Sequence, residues 1–322
     1  MADLPQNSIF ADAATVKDLL CLTMNPELVF IEQVPFTPTE TQAIVGYRET
    51  YTSNTDPEAS YAPEDSIIEE NAEAIDVTLG GAVALNTRPR HSEVAFLRSD
   101  MNKPNFKLTE RRKYNSLVWG IAKQVDSALL STMTGGASAP TTRYDASNAG
   151  VWSGNTADPL HDLRMIAEDV GYYPGYELKA VYVHRDNYYE FVDILDSNDL
   201  DMSYAREQTA RGDFYNMHVT LKNPAIDVYG VRPGLGLSHG QILGIGQFQG
   251  EPCVTNYAYS DPTFGSVESL GVTDKGEVVP DLPLNVNTYW STNNKEYHVE
   301  AWFDTAPFVE RPYGIFYKSS GI

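Results

Sequence analysis

Residues 41–91 cannot fold on their own, and this constrains what the rest of the chain must do. Ala43-Ile44-Val45-Gly46-Tyr47-Arg48-Glu49-Thr50-Tyr51 has the composition of a strand. Residues 53–65 are polar and turn-forming. Ile67 and Ile68, then Ile75, Val77 and Leu79, supply returning strands. The span holds nine carboxylates and no lysine. An extended hairpin with so little apolar mass is marginal in water. It needs a surface to lie against.

The remaining sequence can supply such a surface. The chain has 322 residues, room for two medium domains or one elaborated one. Its hydrophobic fraction of 42% and aromatic fraction of 11% are those of a folded chain. The formal net charge is −21, from 23 basic and 44 acidic residues. That disfavours a free nucleic-acid binder, which needs a cationic surface. The acidic residues are dispersed rather than gathered in a tail, so the whole surface repels its neighbours in ordinary buffer. At ~1 M salt the Debye length falls to ~3 Å and the repulsion is screened. High acid content with only ten lysines points to a halophilic source. No stretch approaches a membrane span. Met1-Ala2-Asp3-Leu4-Pro5 has no cationic n-region or apolar core, so no secretory leader is expected. Cys21 and Cys253 cannot make a disulfide framework or, alone, a zinc site.

Ala11 to Met24 forms one short helix with Val16, Leu19, Leu20 and Leu22 on its apolar side. Pro26, Pro35 and Pro38 break any regular element after it. Residues 1–40 therefore read as an arm that docks on something rather than as core. The strongest helix signal runs over 109–134. Thr109 is its N-cap, Leu117, Ile121, Val125 and Leu129 follow at i+4 steps, and Gly135-Gly136 ends it. Residues 137–157 read as a loop. Asp158-Pro159 opens a second helix that ends at Gly171. Leu178 to His184 is a buried-type strand, and Asn187 to Leu195 a third helix, so 158–196 is an α/β fragment. After a polar loop at 197–213, short strands are expected near 217–221, 226–229, 241–248 and 253–258. A loop follows from about 260 to 288. Two closing strands, Glu296–Asp304 and Val309–Tyr317, are separated by Ala306-Pro307. The class is α+β.

Chemistry is sparse. None of His91, His161, His184, His218, His239 and His298 pairs with another at i+3 or i+4, so there is no helical metal motif. His184 closes a strand, the best position for catalysis in an α/β fold, yet no nucleophile motif accompanies it. Gly234-Leu235-Gly236 and Gly244-Ile245-Gly246 read as turns, not phosphate loops. Asp193, Asp196, Asp199 and Asp201 lack the glycine and closing glutamate of a calcium loop and read as a solvated face. Arg111-Arg112-Lys113 is the one basic triplet, best matched to an acidic neighbouring subunit. No catalytic residue, cofactor site or metal site is expected.

The order of elements carries more information. The hairpin at 41–91, the helix at 109–134, the run Asp158 to Leu195, the stretch Gln241-Ile-Leu-Gly-Ile-Gly-Gln-Phe248 and the ending Val309-Glu-Arg-Pro-Tyr-Gly-Ile-Phe316 together resemble the major capsid proteins of tailed double-stranded DNA viruses, the Hong Kong 97 phage capsid fold. The resemblance implies an N-terminal arm (1–40), an extended E-loop (41–91), a P-domain with its spine helix (92–157), an A-domain (158–288) and returning P-domain strands (289–322). It implies self-assembly into pentamers and hexamers of an icosahedral shell. The shell would enclose double-stranded DNA without sequence-specific binding and be assembled in the host cytoplasm, with scaffold, portal and decoration proteins as possible partners and no membrane. Combined with the halophilic composition, it points to a haloarchaeal virus. Some family members cross-link through an E-loop lysine; the absence of lysine between Lys17 and Lys103 predicts that this chemistry is missing. The chain starts almost at the arm, so scaffolding is expected from a separate protein or a removed segment, Met1 favouring the first. Two other readings stay open: an encapsulin-like nanocompartment shell, and an α/β enzyme using His184 or the acidic run.

Overall fold

A computed structural model describes residues 13–49, 79–139, 141, 152, 158–173, 175–197, 208–211, 216–222, 225–264 and 278–319. The expected hairpin tip at 53–65, its returning isoleucines and most of the 137–157 loop lie outside the described residues.

The elements in chain order are α1 (Ala13–Met24), β1 (Phe36–Thr39), β2 (Ala43–Glu49), β3 (Leu79–Asn86), β4 (Arg88–Leu97), α2 (Arg98–Met101), α3 (Phe106–Gly136), α4 (Pro159–Val170), β5 (Tyr176–His184) and α5 (Arg185–Ser197). Then come β6 (Gln208–Arg211), β7 (Asn216–Lys222), β8 (Ala225–Val231), β9 (Ile242–Phe248), β10 (Glu251–Pro252), β11 (Val254–Tyr259), β12 (Asn285–Ser291), β13 (Glu296–Val309) and β14 (Ile315–Lys318). A five-stranded sheet has the order β1-β11-β13-β12, with β4 also paired to β13. A seven-stranded sheet runs β10-β9-β5-β8-β7-β6, with β14 on β9. β2 and β3 form a separate two-stranded ladder. No described helix is long and apolar enough to cross a membrane.

α3 has 31 residues, roughly 46 Å at ~1.5 Å per residue. Its stripe of Leu117, Val118, Ile121, Val125 and Leu129 is buried and packs against β4 and β13. The helix starts at Phe106, three residues before the cap expected at Thr109, and Asn105 makes no side-chain cap bond. The physical reason is tertiary. Phe106 meets buried Phe96 edge-on with ring centres 6.1 Å apart, and that packing draws in a turn whose polar cap signal was weak. α4 begins as expected: Asp158 Oδ1 accepts from His161 N at 3.0 Å, with Pro159 first in the helix.

Several expectations are corrected. Residues 13–34, expected to dock as an arm rather than form core, are part of the core. Val16, Leu20, Met24, Leu28, Phe30 and Val34 are buried in the core shared with α3. Phe30 meets Tyr182 of the seven-stranded sheet with ring centres 4.7 Å apart. Pro38 does not prevent β1, because β1 is an edge strand, where a missing N–H is tolerated. The first closing strand, β13, does not stop at Asp304 but runs through Ala306-Pro307 to Val309, and the second is shortened to β14, Ile315–Lys318, after a turn at Pro312–Gly314. β4 starts at Arg88 opposite Thr305, so no described strand pairs Pro307 on that side, while on the other it lies opposite Asn256 of β11. β12 occupies part of the expected 260–288 loop. Gly244 and Gly246 lie within β9 rather than in a turn. A Cβ at Gly246 would sit 2.7 Å from Glu177 O and 2.8 Å from Val170, so glycine is what lets β5 and α4 close on β9. The two sheets also exchange strands. β11, within the span read as A-domain, pairs β13, and β14, within the closing P-domain span, pairs β9.

Candidate assembly surface

The β2–β3 ladder pairs Ile44 with Leu85, Val45 with Ala84, Gly46 with Val83 and Tyr47 with Ala82. Directly paired residues share a face and side chains alternate along a strand. One face therefore carries Ile44, Gly46, Leu85 and Val83. The other carries Val45, Tyr47, Ala82 and Ala84. The first meets the body at Gly46, buried beside Phe308 of β13, while Val83 on that face is 38% exposed. The second is open, with Val45 55% and Tyr47 54% exposed and both alanines exposed. An exposed apolar ribbon of this kind is a candidate contact surface.

A second surface lies at the start of α3. Lys107, Leu108, Arg111 and Arg112 are exposed and fall on one helix face, Leu108 at 53%. The first turn holds no acidic residue. Cations here face the positive end of the helix dipole, an arrangement that favours an anionic partner. Lys113, the third member of the basic triplet, is otherwise engaged: its ammonium donates to Ala95 O and lies 5.0 Å from the centre of the Phe96 ring.

The residues considered for catalysis are placed as follows. His184 ends β5, and its Nδ1 accepts from Asp186 N at 3.3 Å. His239 reaches the same corner, with the two ring centres 6.1 Å apart. Its Nε2 is 3.7 Å from Glu190 Oε1, and Asn187 joins the corner through Glu190 and Gly240 N. This grouping comes from tertiary contact alone and has no sequence signal. Of the acidic run, Asp193 is exposed on α5, while Asp199 and Asp201 lie outside the described residues. Both cysteines are buried thiols; burial pushes Cys21 up to about 12, which removes it as a nucleophile at neutral pH. Among the described residues no group of three or more His, Cys, Asp or Glu could hold a metal ion.

A second histidine grouping escaped the sequence. On the open face of the five-stranded sheet, His298 lies between Glu93 (Nδ1 to Oε1, 2.5 Å) and Glu296 (Nε2 to Oε2, 3.4 Å). The Tyr289 ring stacks on it with centres 4.8 Å apart. The cross-strand register of β4, β13 and β12 makes this cluster, which ties three strands together.

No family model matches the sequence, and no curated protein matches it. Solved structures do. The virus-like particle from Pyrococcus furiosus matches with a TM-score of 0.52 at 8% identity, covering 94% of this chain and 97% of that one. A protein of Mycobacterium phage Adephagia gives 0.49 at 10% identity, covering 91% and 90%. The SrpI encapsulin of Synechococcus elongatus PCC 7942 gives 0.48 at 11%, covering 93% and 89%. The fold is thus that of the Pyrococcus particle protein along almost the whole of both chains.

Proposed function

We propose that this chain is a shell-forming structural protein, the major capsid protein of a tailed virus. Its copies associate as pentamers and hexamers into an icosahedral shell around double-stranded DNA. The observation that carries this reading is the hairpin ribbon of Val45, Tyr47, Ala82 and Ala84, left uncovered by the chain's own described residues. A monomer gains nothing from such a ribbon, whereas a neighbour in a closed assembly buries it. The likeness in fold to a virus-like particle points the same way. The cationic face of Lys107, Arg111 and Arg112 suits a partner from the same acidic chain. Residues 50–78 carry eight carboxylates and no Lys, Arg or His. Hairpin and cationic face on different copies make a head-to-tail contact, the kind that closes rings. The net charge of −21 supports assembly in concentrated salt, as in a haloarchaeal virus, and weak adhesion of the shell to DNA phosphates.

The role is mechanical, and the His184–His239 corner is taken as structural. A nanocompartment shell would use the same fold; the two differ in content, DNA or a cargo protein. Electron microscopy of the full chain expressed and purified in molar salt tests the proposal. Closed particles of uniform diameter are expected. A stable small oligomer at every salt and protein concentration would sink it.

A further inference from the structure

Among the described residues, the hairpin meets β13 through Gly46 and Arg48. Gly46 sits so close to β13 that a Cβ there would lie 2.8 Å from Phe308 Cε1 and 3.0 Å from Leu85 Cδ1. Arg48, next on the same face of β2, holds its guanidinium carbon 5.6 Å from the centre of the Phe308 ring. Its Nε donates to Val309 O at 3.3 Å. Phe308 belongs to the part of β13 that β4 does not pair, since β4 starts at Arg88 opposite Thr305. Among the described residues no strand pairs that side of β13, and the hairpin root lies there. The covalent links are short. β3 passes into β4 through Thr87 alone, and Thr87 N donates to Gln42 O at 2.9 Å to close the base.

We propose that the Gly46–Phe308 contact, clamped by Arg48, sets the angle at which the hairpin leaves the body. Gly46 and Arg48 are then positioning residues for the apolar ribbon. The purpose of that angle, presenting Val45 and Tyr47 to a second copy, rests on the shell reading; the contact itself does not. The mechanics follow from leverage. Two short links, residues 40–42 and Thr87, join the hairpin to the body and are tied together at the base by Thr87 N to Gln42 O, so the Gly46–Phe308 contact beyond that base biases how the hairpin tilts. A guanidinium over an aromatic ring is a weak attraction at a partly exposed site, enough to bias an angle without making it rigid. Any side chain at 46 must push the Phe308 ring or the hairpin away, because its Cβ falls inside contact distance of both Phe308 and Leu85.

The test uses the full chain, dispersed below its assembly concentration. Spin labels are placed at two exposed positions, Ala84→Cys on the hairpin and Ser99→Cys on the body, with Cys21 and Cys253 left buried. Pulsed dipolar spectroscopy reads the distance distribution. In Gly46→Val the main distance moves and the distribution broadens, while far-UV circular dichroism stays native. Gly46→Ala, whose side chain intrudes less on Phe308, moves it less than Gly46→Val. A distribution unchanged in natively folded Gly46→Val overturns the proposal. Should that variant not fold, Arg48→Ala gives the same decision: broadening supports the clamp, and no change refutes it. Light scattering at higher concentration is recorded in parallel. A parent chain that forms no particles removes the shell reading and leaves the distance result standing.

Discussion

Val29 donates its backbone N–H to Asp126 Oδ2 at 3.1 Å, which fastens the N-terminal segment to the middle of the long helix α3. The contact is wholly buried and lies beside Arg232, whose Nη1 is 3.9 Å from Glu27 Oε2. Burial pushes the Asp126 carboxyl up to about 7, against the backbone donors of Val29 and Phe30 and the charge of Arg232, which pull it down.

A pH dependence follows, with a definite sign. Asp126 in the fold keeps its proton up to about 7, while in the unfolded chain it gives it up in the ordinary carboxylate range, at ~3.9. The folded state binds more protons across that window. Its stabilisation is complete below the unfolded value and is lost as pH rises through the folded one, with a slope of at most ~1.4 kcal/mol per pH unit. Urea midpoints of the dispersed chain should fall from pH 4 to 7 through this group. Asp126→Asn should flatten that part of the curve. An equal slope in parent and variant would assign the dependence to other groups.

Much of the fold was legible because it rests on local periodicity. The i+4 steps from Leu117 to Leu129 define α3, and Asp158-Pro159 marks the start of α4. What escaped depends on partners far away in sequence. β1 contains Pro38, which only an edge position excuses. β12, Asn-Val-Asn-Thr-Tyr-Trp-Ser, has no apolar run, and its strand character comes from pairing along β13. The burial of Phe30 and Val29 needs Tyr182 and Asp126, neither of them near in sequence. The candidate surface was half legible. The hairpin and the basic triplet were visible, but not the loss of Lys113 to Ala95, nor which hairpin face stays open.

Trp152 donates its indole N–H to Asp162 Oδ2 at 2.9 Å in a buried site. The carboxyl is pushed up to about 6, chiefly by burial, and the indole bond works against that shift. Trp152→Phe keeps most of the apolar packing on Phe191 and leaves the carboxylate without this donor. The expected loss is about 1–3 kcal/mol at pH 8, measured by urea unfolding. It should shrink at pH 5, where the proton on Asp162 removes the charge. A loss equal at both pH values would mean that packing, not the hydrogen bond, sets the cost.

Salt should act on assembly more than on the fold. With a net charge of −21, each added copy meets a field of its own sign. Lowering salt from ~1 M to ~0.1 M lengthens the screening distance from ~3 to ~10 Å. Particles dialysed into ~0.1 M salt with a chelator should release subunits, followed by light scattering, while circular dichroism changes little. Particles that survive this treatment intact would show that contacts between copies do not depend on screening.

The hairpin ribbon separates assembly from folding most cleanly. Val45 and Tyr47 are more than half exposed, so the isolated chain gains little from them. Surface substitutions of this kind usually change stability by less than ~0.5 kcal/mol. Buried against a neighbour, each side chain contributes on the order of 1–3 kcal/mol. A shell repeats that contact in every copy, so a small loss per site becomes a large shift in the concentration at which particles form. Val45→Asp with Tyr47→Asp should leave the thermal midpoint of the dispersed chain nearly unchanged and abolish particles at concentrations where the parent assembles. Val45→Ala with Tyr47→Phe should assemble at a raised threshold. If the doubly acidic variant forms particles at the parent's threshold, the ribbon is not a contact surface, and the hairpin must engage its neighbour through another face.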